Sequence, residues 1–269
     1  MLFKLSMFNL AKNDLKETFK RNQLCFELAW TEVRLRYTRT IIGPFWETIS
    51  LGILLFTLSY LWSRLWGAQV SEYLPYLVSG MVLWRFINSI LNDGCEIFIK
   101  NDYIYRSIPL PWSVMAVKHL YAGTFLFLHH FPMIIVANLI FNIDFFTLKL
   151  FYILYAIPAL AITSFSSILL LGILTSRYRD VKSLVSSLLS VMIFFTPIFW
   201  TIDQMGEVGR KFVVMPNLIY HYIEIFRQPM LGNAPSELNI LITLVTTLLL
   251  LFLSMFVLNK YKKRIIYWL

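Results

Sequence analysis

The chain has 269 residues, 58% hydrophobic and 14% charged, with 24 Lys and Arg against 15 Asp and Glu for a formal net charge of +9. This length and apolar fraction leave room for one membrane domain and no sizeable soluble one, which excludes most soluble enzymology. The basic excess would suggest nucleic acid in a soluble protein. Its distribution along the chain points to membrane topology instead, and no nucleic-acid partner is expected.

Residues 1–41 form a segment without an apolar run, so no cleavable secretory signal is expected. Within it, Leu24–Arg39 reads as an amphipathic helix. Phe26, Trp30, Val33 and Tyr37 recur at i, i+4, i+7 and i+11, while Glu27, Glu32, Arg34, Arg36 and Arg39 take the other faces. A Trp-bearing apolar stripe with a basic polar side suits a helix lying in the membrane plane. It equally suits an amphipathic helix packed on its own bundle.

Residues 42–258 read as a membrane domain of six spans. The first two, about Ile42–Trp66 and Tyr73–Leu91, carry Glu47, Arg64 and Arg85. The other four, His119–Ile143, Leu150–Ser176, Ser183–Ile202 and Leu238–Asn259, are uncharged. Each reaches or nears the roughly 20 residues a helix needs to cross hydrocarbon. Trp46 and Trp112 fall at inner boundaries and Trp62, Trp66 and Trp200 at outer ones, as an aromatic belt requires.

The connections are unequal. Asn92–Ser113 is too apolar for a plain solvated loop, and Pro109 and Pro111 stop a helix from running straight into the third span. It is expected to dock on something. Asp203–Glu237 is the longest connection, and Asn217–Gln228 within it is helix-like, with Ile219, Tyr222, Ile223 and Phe226 on one stripe. That segment is either a surface cap or a half-inserted re-entrant hairpin. Residues 259–269 form a basic tail.

With alternating spans, 18 Lys and Arg fall on the side of the N-terminus and five (Arg64, Lys149, Arg210, Lys211, Arg227) on the other. By the positive-inside rule both termini are expected in the cytoplasm. Cys25 and Cys95 then face a reducing compartment and are expected as free thiols.

No catalytic constellation is found. A phosphate-cradling glycine–lysine loop, an H-E-x-x-H helix and paired-cysteine metal ligands are all missing, so no cofactor is expected in this chain. His129 and His130 are adjacent and point about 100° apart on a helix, a poor chelate. Buried acids of the kind ion-coupled transporters use are scarce, so the energy for any transport is expected from another subunit. Glu47 and Arg85 fall at similar depth. They are expected to form an intramembrane ion pair, the alternative being that Arg85 faces a pathway and attracts an anionic headgroup.

Three stretches together resemble the ABC-2-type permeases. Arg36-Tyr37-Thr38-Arg39-Thr40-Ile41-Ile42-Gly43-Pro44-Phe45-Trp46 is similar to that family's RYxxSxLGxxW entry to its first helix. Arg177-Tyr178-Arg179-Asp180-Val181, followed by Phe195-Thr196-Pro197-Ile198-Phe199-Trp200, resembles its FRD…SP(I/V)xY stretch. Pro216-Asn217 through Ile223-Glu224-Ile225-Phe226-Arg227 resembles its NP…(I/V)xxxR segment with the leading pair reversed.

The nearest group is the permeases that export O-antigen, capsular polysaccharide or teichoic acid. The resemblance implies an all-α integral membrane protein with six transmembrane helices, an interfacial gate helix, a cytoplasmic coupling helix and an outer re-entrant hairpin before the last span. It implies a bacterial inner-membrane half-transporter, paired with a second copy of itself and with two copies of an ATP-binding cassette subunit that holds the ATP and magnesium. The cargo would be a lipid-linked polysaccharide on a polyprenyl diphosphate; a small lipid or drug is the alternative, and a membrane-embedded acyl- or glycosyltransferase a more distant one. Trp30, Arg34, Arg36, Tyr37 and Arg39 would form the gate and headgroup site, and Ile99, Lys100, Tyr103, Tyr105 and Arg106 would contact the ATPase.

Overall fold

The computed structural model describes residues 9–269 except Pro44 and Ala68, and the side chains of all of these but Trp66 and Asp203. Lys4 of the basic N-terminal segment, Pro44 of the first motif and the Trp66 ring of the aromatic belt therefore lie outside the described residues. Every regular element among those residues is helical. Five helices are long and apolar enough to cross a membrane: α3 (Phe45–Trp66), α4 (Val70–Cys95), α7 (Ser113–Ile140), α8 (Ile153–Arg177, entered through a 3₁₀ turn at Leu148–Tyr152) and α12 (Glu237–Tyr261). In chain order the others are α1 (Asn9–Lys20), α2 (Asn22–Arg36), α5 (Ile97–Lys100), α6 (Asp102–Ser107), α9 (Asp180–Phe195), α10 (Gly206–Gly209), α11 (Leu218–Met230) and α13 (Ile265–Trp268).

The fifth expected span is shorter than the sequence implied. Ser183–Ile202 is uncharged throughout, yet α9 stops at Phe195 after 16 residues, about 24 Å at 1.5 Å per residue. Proline disfavours the helical region for the residue before it. Thr196 accordingly leaves the helix with ψ 132, ahead of Pro197, and the chain runs on in turns to Trp200.

Two buried clusters hold the bundle. One, in mid-bundle, joins Leu77, Leu83, Ile134, Leu160, Ile198, Ile223 and Phe226. The other lies at the end that carries α1 and α13 and joins Ile97, Phe98, Tyr105, Trp112, Met115, Ile168, Leu258 and Ile265. Here α5 lies so close to α8 that a Cβ on Gly172 would come within 2.9 Å of both Ile97 and Phe98. At the far end Gly232 has φ 77, and a Cβ there would sit 2.3 Å from the Asp144 carbonyl. Asn138 in α7 donates to the Met230 carbonyl at 2.6 Å, tying the end of α11 to the same place.

α1 is a helix that apolar periodicity does not announce, because its buried residues are Ala11, Asp14 and Thr18. Asp14 carries the packing. Its carboxylate accepts the backbone N–H groups of Trp112 (3.1 Å) and Ser113 (2.9 Å) and pairs with Lys262 at 2.8 Å. It thus satisfies orphan donors where α7 begins and answers the positive end of that helix. Asn259 in turn accepts from the Leu10 and Ala11 N–H groups at 3.0 and 3.3 Å. α1 and the end of α12 are stitched together here.

α3 buries only a narrow stripe of Leu51, Leu55 and Ser59. Ile49, Ile53, Phe56, Tyr60 and Leu61 stand exposed on its remaining faces. Cys25 and Cys95 are free thiols and buried. Burial pushes the Cys25 thiol up from its ordinary pKa, which keeps it protonated.

Candidate functional site

The residues that carry chemistry collect at the two ends of the bundle. At the end with α1 and α13, α5 and α6 form a short platform. Tyr105 faces inward, stacked on Trp112 at 4.1 Å between ring centroids and donating to its carbonyl at 3.0 Å. Lys100, Tyr103 and Arg106 point outward and are exposed, with Ile99 partly covered. Lys100 and Arg106 pair with Glu96 (3.0 Å) and Asp102 (3.4 Å) on the same surface. The five residues proposed for docking therefore divide: Tyr105 anchors the platform, and the other four present it.

Lys118 joins this platform to α2. The side chain is nearly buried, and its ammonium contacts Glu32 of α2 at 2.7 Å and Asn101, between α5 and α6, at 3.2 Å. A buried ammonium needs such partners to offset its lost hydration. Sequence reasoning missed this residue, since Lys118 falls at the edge of a span where a lysine reads as a topology signal.

α2 spans Asn22–Arg36 rather than Leu24–Arg39. Its buried face is Cys25, Ala29 and Val33: of the expected stripe Val33 is buried, while Cys25 and Ala29 take the place of their neighbours Phe26 and Trp30. Small side chains allow the close approach to α7, while Phe26 and Trp30 stand half exposed with their rings edge-on to Phe125 at 5.3 and 5.6 Å. Asn22 meets Tyr121 at 2.7 Å and Glu32 meets Lys118. α2 thus meets α7 along the stretch from Lys118 to Phe125. Tyr37 and Arg39 lie beyond the helix, with Arg39 at φ 72, while Arg34, Arg36 and Arg39 are exposed. Burial first, and then the nearby Glu47 carboxylate, push the Tyr37 hydroxyl up to about 12.

Glu47 and Arg85 line one cavity of 390 Å³, together with Arg36, Asp93 and His130. Their neighbours reach the same stretch of α7: Thr48 donates to the His129 carbonyl at 3.5 Å, and Phe86 packs on Phe127 at 5.5 Å. The expected ion pair does not form, since no contact within 4 Å joins the two charges among the described residues. Both charges face the cavity, where space for solvent replaces the need for direct contact.

The bundle's buried ion pair is elsewhere, and the sequence reading placed Arg227 in an outer loop. Arg227 in α11 is fully buried and bonded to Glu224 one turn earlier, its Nε at 2.8 Å from the carboxylate. Gln228 donates to the second carboxylate oxygen at 2.6 Å. The guanidinium lies over the Tyr76 ring, 3.8 Å from its centroid, and Nη1 donates to the Pro197 carbonyl at 2.8 Å.

Around it the turn after α9 is held by hydroxyls of α4. Tyr76 donates to the Pro197 and Trp200 carbonyls at 2.9 and 3.1 Å, and Tyr73 to Phe199 at 2.6 Å. Asn217 adds a bond to the Thr196 hydroxyl at 2.9 Å. Non-helical backbone at membrane depth requires such partners. α11 is therefore buried in the bundle, not laid on it as a surface cap. Its signal in the sequence was Glu224 and Arg227 three residues apart inside an otherwise apolar run.

A hydroxyl seam joins α8, α11 and α12. The Tyr222 hydroxyl lies 2.8 Å from both Thr163 and Thr247, and Thr163 lies 2.9 Å from Thr247. Tyr155 contacts Thr243 at 2.8 Å. Inter-helix hydrogen bonds of this kind hold helices in lipid, where apolar burial offers little drive. Among the described residues, no group of three His, Cys, Asp or Glu is placed to hold a metal.

Comparison with known proteins agrees with this architecture. The family model for the ABC-2 type transporter matches residues 23–231. Two proteins of Klebsiella pneumoniae, each named O-antigen export system permease protein RfbA, are 22% identical over 237 residues. The aligned region covers 87% of this chain and 90% of each relative.

Proposed function

We propose, for a chain that belongs to the ABC-2 type transporter family, the role of permease subunit in an exporter that carries a lipid-linked polysaccharide across the bacterial plasma membrane. The cargo class is that of O-antigen or capsule on a polyprenyl diphosphate, and its support is the likeness to O-antigen export permeases along most of the chain. The family normally works with an ATP-binding cassette partner. Two such subunits would hold the ATP and magnesium, and a second copy of this chain would complete the passage. The basic segments 9–41 and 259–269 would face the cytoplasm.

One observation carries the working model: a docking platform wired to α2. The exposed Lys100, Tyr103 and Arg106 on α5 and α6 suit an ATPase surface. Lys118 connects that platform to α2 through Asn101 and Glu32. A push on the platform would reach α2, whose Trp30, Arg34 and Arg36 would meet the headgroup at the cytoplasmic interface. Arginine suits phosphate because its planar fork binds two oxygens at once. α11 and the held turn at Thr196–Trp200 would be the outer hairpin near the exit, and α9 the fifth of six spans. The exposed faces of α3 offer a surface for the second copy.

The test is genetic and chemical. A strain without the gene is expected to trap polyprenyl-linked glycan inside the cell, and wild-type protein to restore surface glycan. Tyr103→Ala with Arg106→Asp should fail to restore it while still reaching the membrane. Normal surface glycan in the deletion strain would overturn the cargo assignment.

A further inference from the structure

The cavity between α2, α3, α4 and α7 holds charges that the proposed transport cycle does not use. Arg85 makes no ion pair within 4 Å among the described residues, and neither does Glu47, although both face the same 390 Å³. Unpaired charges inside a span are costly and call for a counter-charge or water. His130 adds a second, independent sign. It is 94% buried by its 6% exposure, its Nδ1 lies 2.8 Å from the Leu126 carbonyl, and its Nε2 has no hydrogen-bond partner. A ring nitrogen against a carbonyl must donate, so in the neutral ring Nε2 is an acceptor awaiting a donor. The far carboxylate, Asp93, lies eight residues along α4, about 12 Å away, and already accepts from Ser89 at 3.1 Å.

α4 thus offers Arg85 to this cavity, and the surrounding helices offer two acceptors, Glu47 and His130, with a second cation, Arg36. Arg36 and Glu47 also line a neighbouring cleft of 540 Å³, whose walls include the apolar Ile41, Ile42 and Trp46. A polar chamber opening into an apolar cleft has the shape of an amphiphile. We infer that the two together form a site for a membrane lipid whose headgroup joins a phosphate to a primary ammonium, as in phosphatidylethanolamine. Its phosphate lies on the Arg85 guanidinium, its ammonium against Glu47 and His130 Nε2, and its chains along the Ile41–Trp46 cleft. The pairing of carboxylate and imidazole acceptors opposes a diphosphate, which is purely anionic, so the ligand differs from the cargo headgroup even though Arg36 borders this site and stands among the residues proposed to meet that headgroup. The inference rests on the membrane placement of the bundle and not on which cargo is exported.

The test uses the full chain in nanodiscs of mixed phosphatidylethanolamine, phosphatidylglycerol and phosphatidylcholine, with retained lipid counted by native mass spectrometry. The wild-type chain should retain phosphatidylethanolamine in preference to the other two. Arg85→Gln should cut retention at least tenfold, and Arg85→Lys should keep most of it. Glu47→Gln should abolish the preference for phosphatidylethanolamine over phosphatidylglycerol, and His130→Gln, which keeps an acceptor, should preserve it. Soluble phosphoethanolamine should compete only weakly, because it lacks the chains. Equal lipid retention by Arg85→Gln, an unchanged preference in Glu47→Gln, or displacement of the lipid by farnesyl diphosphate would each overturn the site. That last result would leave the exporter reading standing and assign the cavity to the cargo.

Discussion

Two pairs of opposite charges sit within this bundle, and they follow different rules. Glu224 and Arg227 are buried at the far end, with the guanidinium bonded to a carboxylate and a carbonyl and covered by an aromatic ring. Glu47 and Arg85 face a cavity and do not touch. The first pair is satisfied from within, its side chains almost wholly covered although both border a 640 Å³ cavity at that end. The second remains available to a ligand. Depth in the membrane does not separate the two cases. What separates them is whether neighbouring backbone leaves the charge any unsatisfied neighbours to serve.

Mutagenesis can break that contrast, beginning where the effect should be greatest. Arg227→Leu leaves Glu224 buried and unpaired, and should cost about 3–5 kcal/mol in detergent unfolding. Adding Glu224→Leu should recover part of that loss, whereas an independent role for each residue would make the two costs add. Asp14→Ala removes the acceptor for the start of α7 and the partner of Lys262. About 2 kcal/mol should be lost, seen as a lower thermal midpoint. Lys118→Met should cost about 1 kcal/mol, since Glu32 is a third exposed and solvent screens the pair. The exchange Glu32→Lys with Lys118→Glu should restore coupling between ATP hydrolysis and export that either single change weakens. Smallest of all, Glu47→Gln or Arg85→Gln should move the midpoint by less than about 1 kcal/mol. A large loss there would show that the cavity pair is structural after all.

The sequence announced the membrane architecture because length and hydropathy are additive signals that survive ignorance of packing. Five of the six expected spans, the break before α7 and the anomalous helix within 217–228 follow from residue type alone. α9 was read as longer than it is because hydropathy is blind to Pro197, which sets the backbone of Thr196 without changing polarity. α1 was missed for the opposite reason: its contacts are Ala11, Asp14 and Thr18, which form no apolar stripe. The ion pair was assigned to Glu47 and Arg85 by depth, yet pairing depends on direction around each helix. Glu224 and Arg227 sit one turn apart on a single helix, a spacing at which side chains do meet. Lys118 was legible only once three elements had been brought together around it.

The 16 residues of α9 carry a consequence for the lipid around the protein. Hydrocarbon is roughly 30 Å thick, and a stretch of about 24 Å falls short of it, so in the role of fifth span proposed above α9 would need a thinned bilayer or polar partners drawn inward. Arg227, Tyr73 and Tyr76 supply those partners by saturating the carbonyls beyond its end. In that role the molecule would carry a built-in mismatch on the flank of α9, and acyl-chain length would act there first.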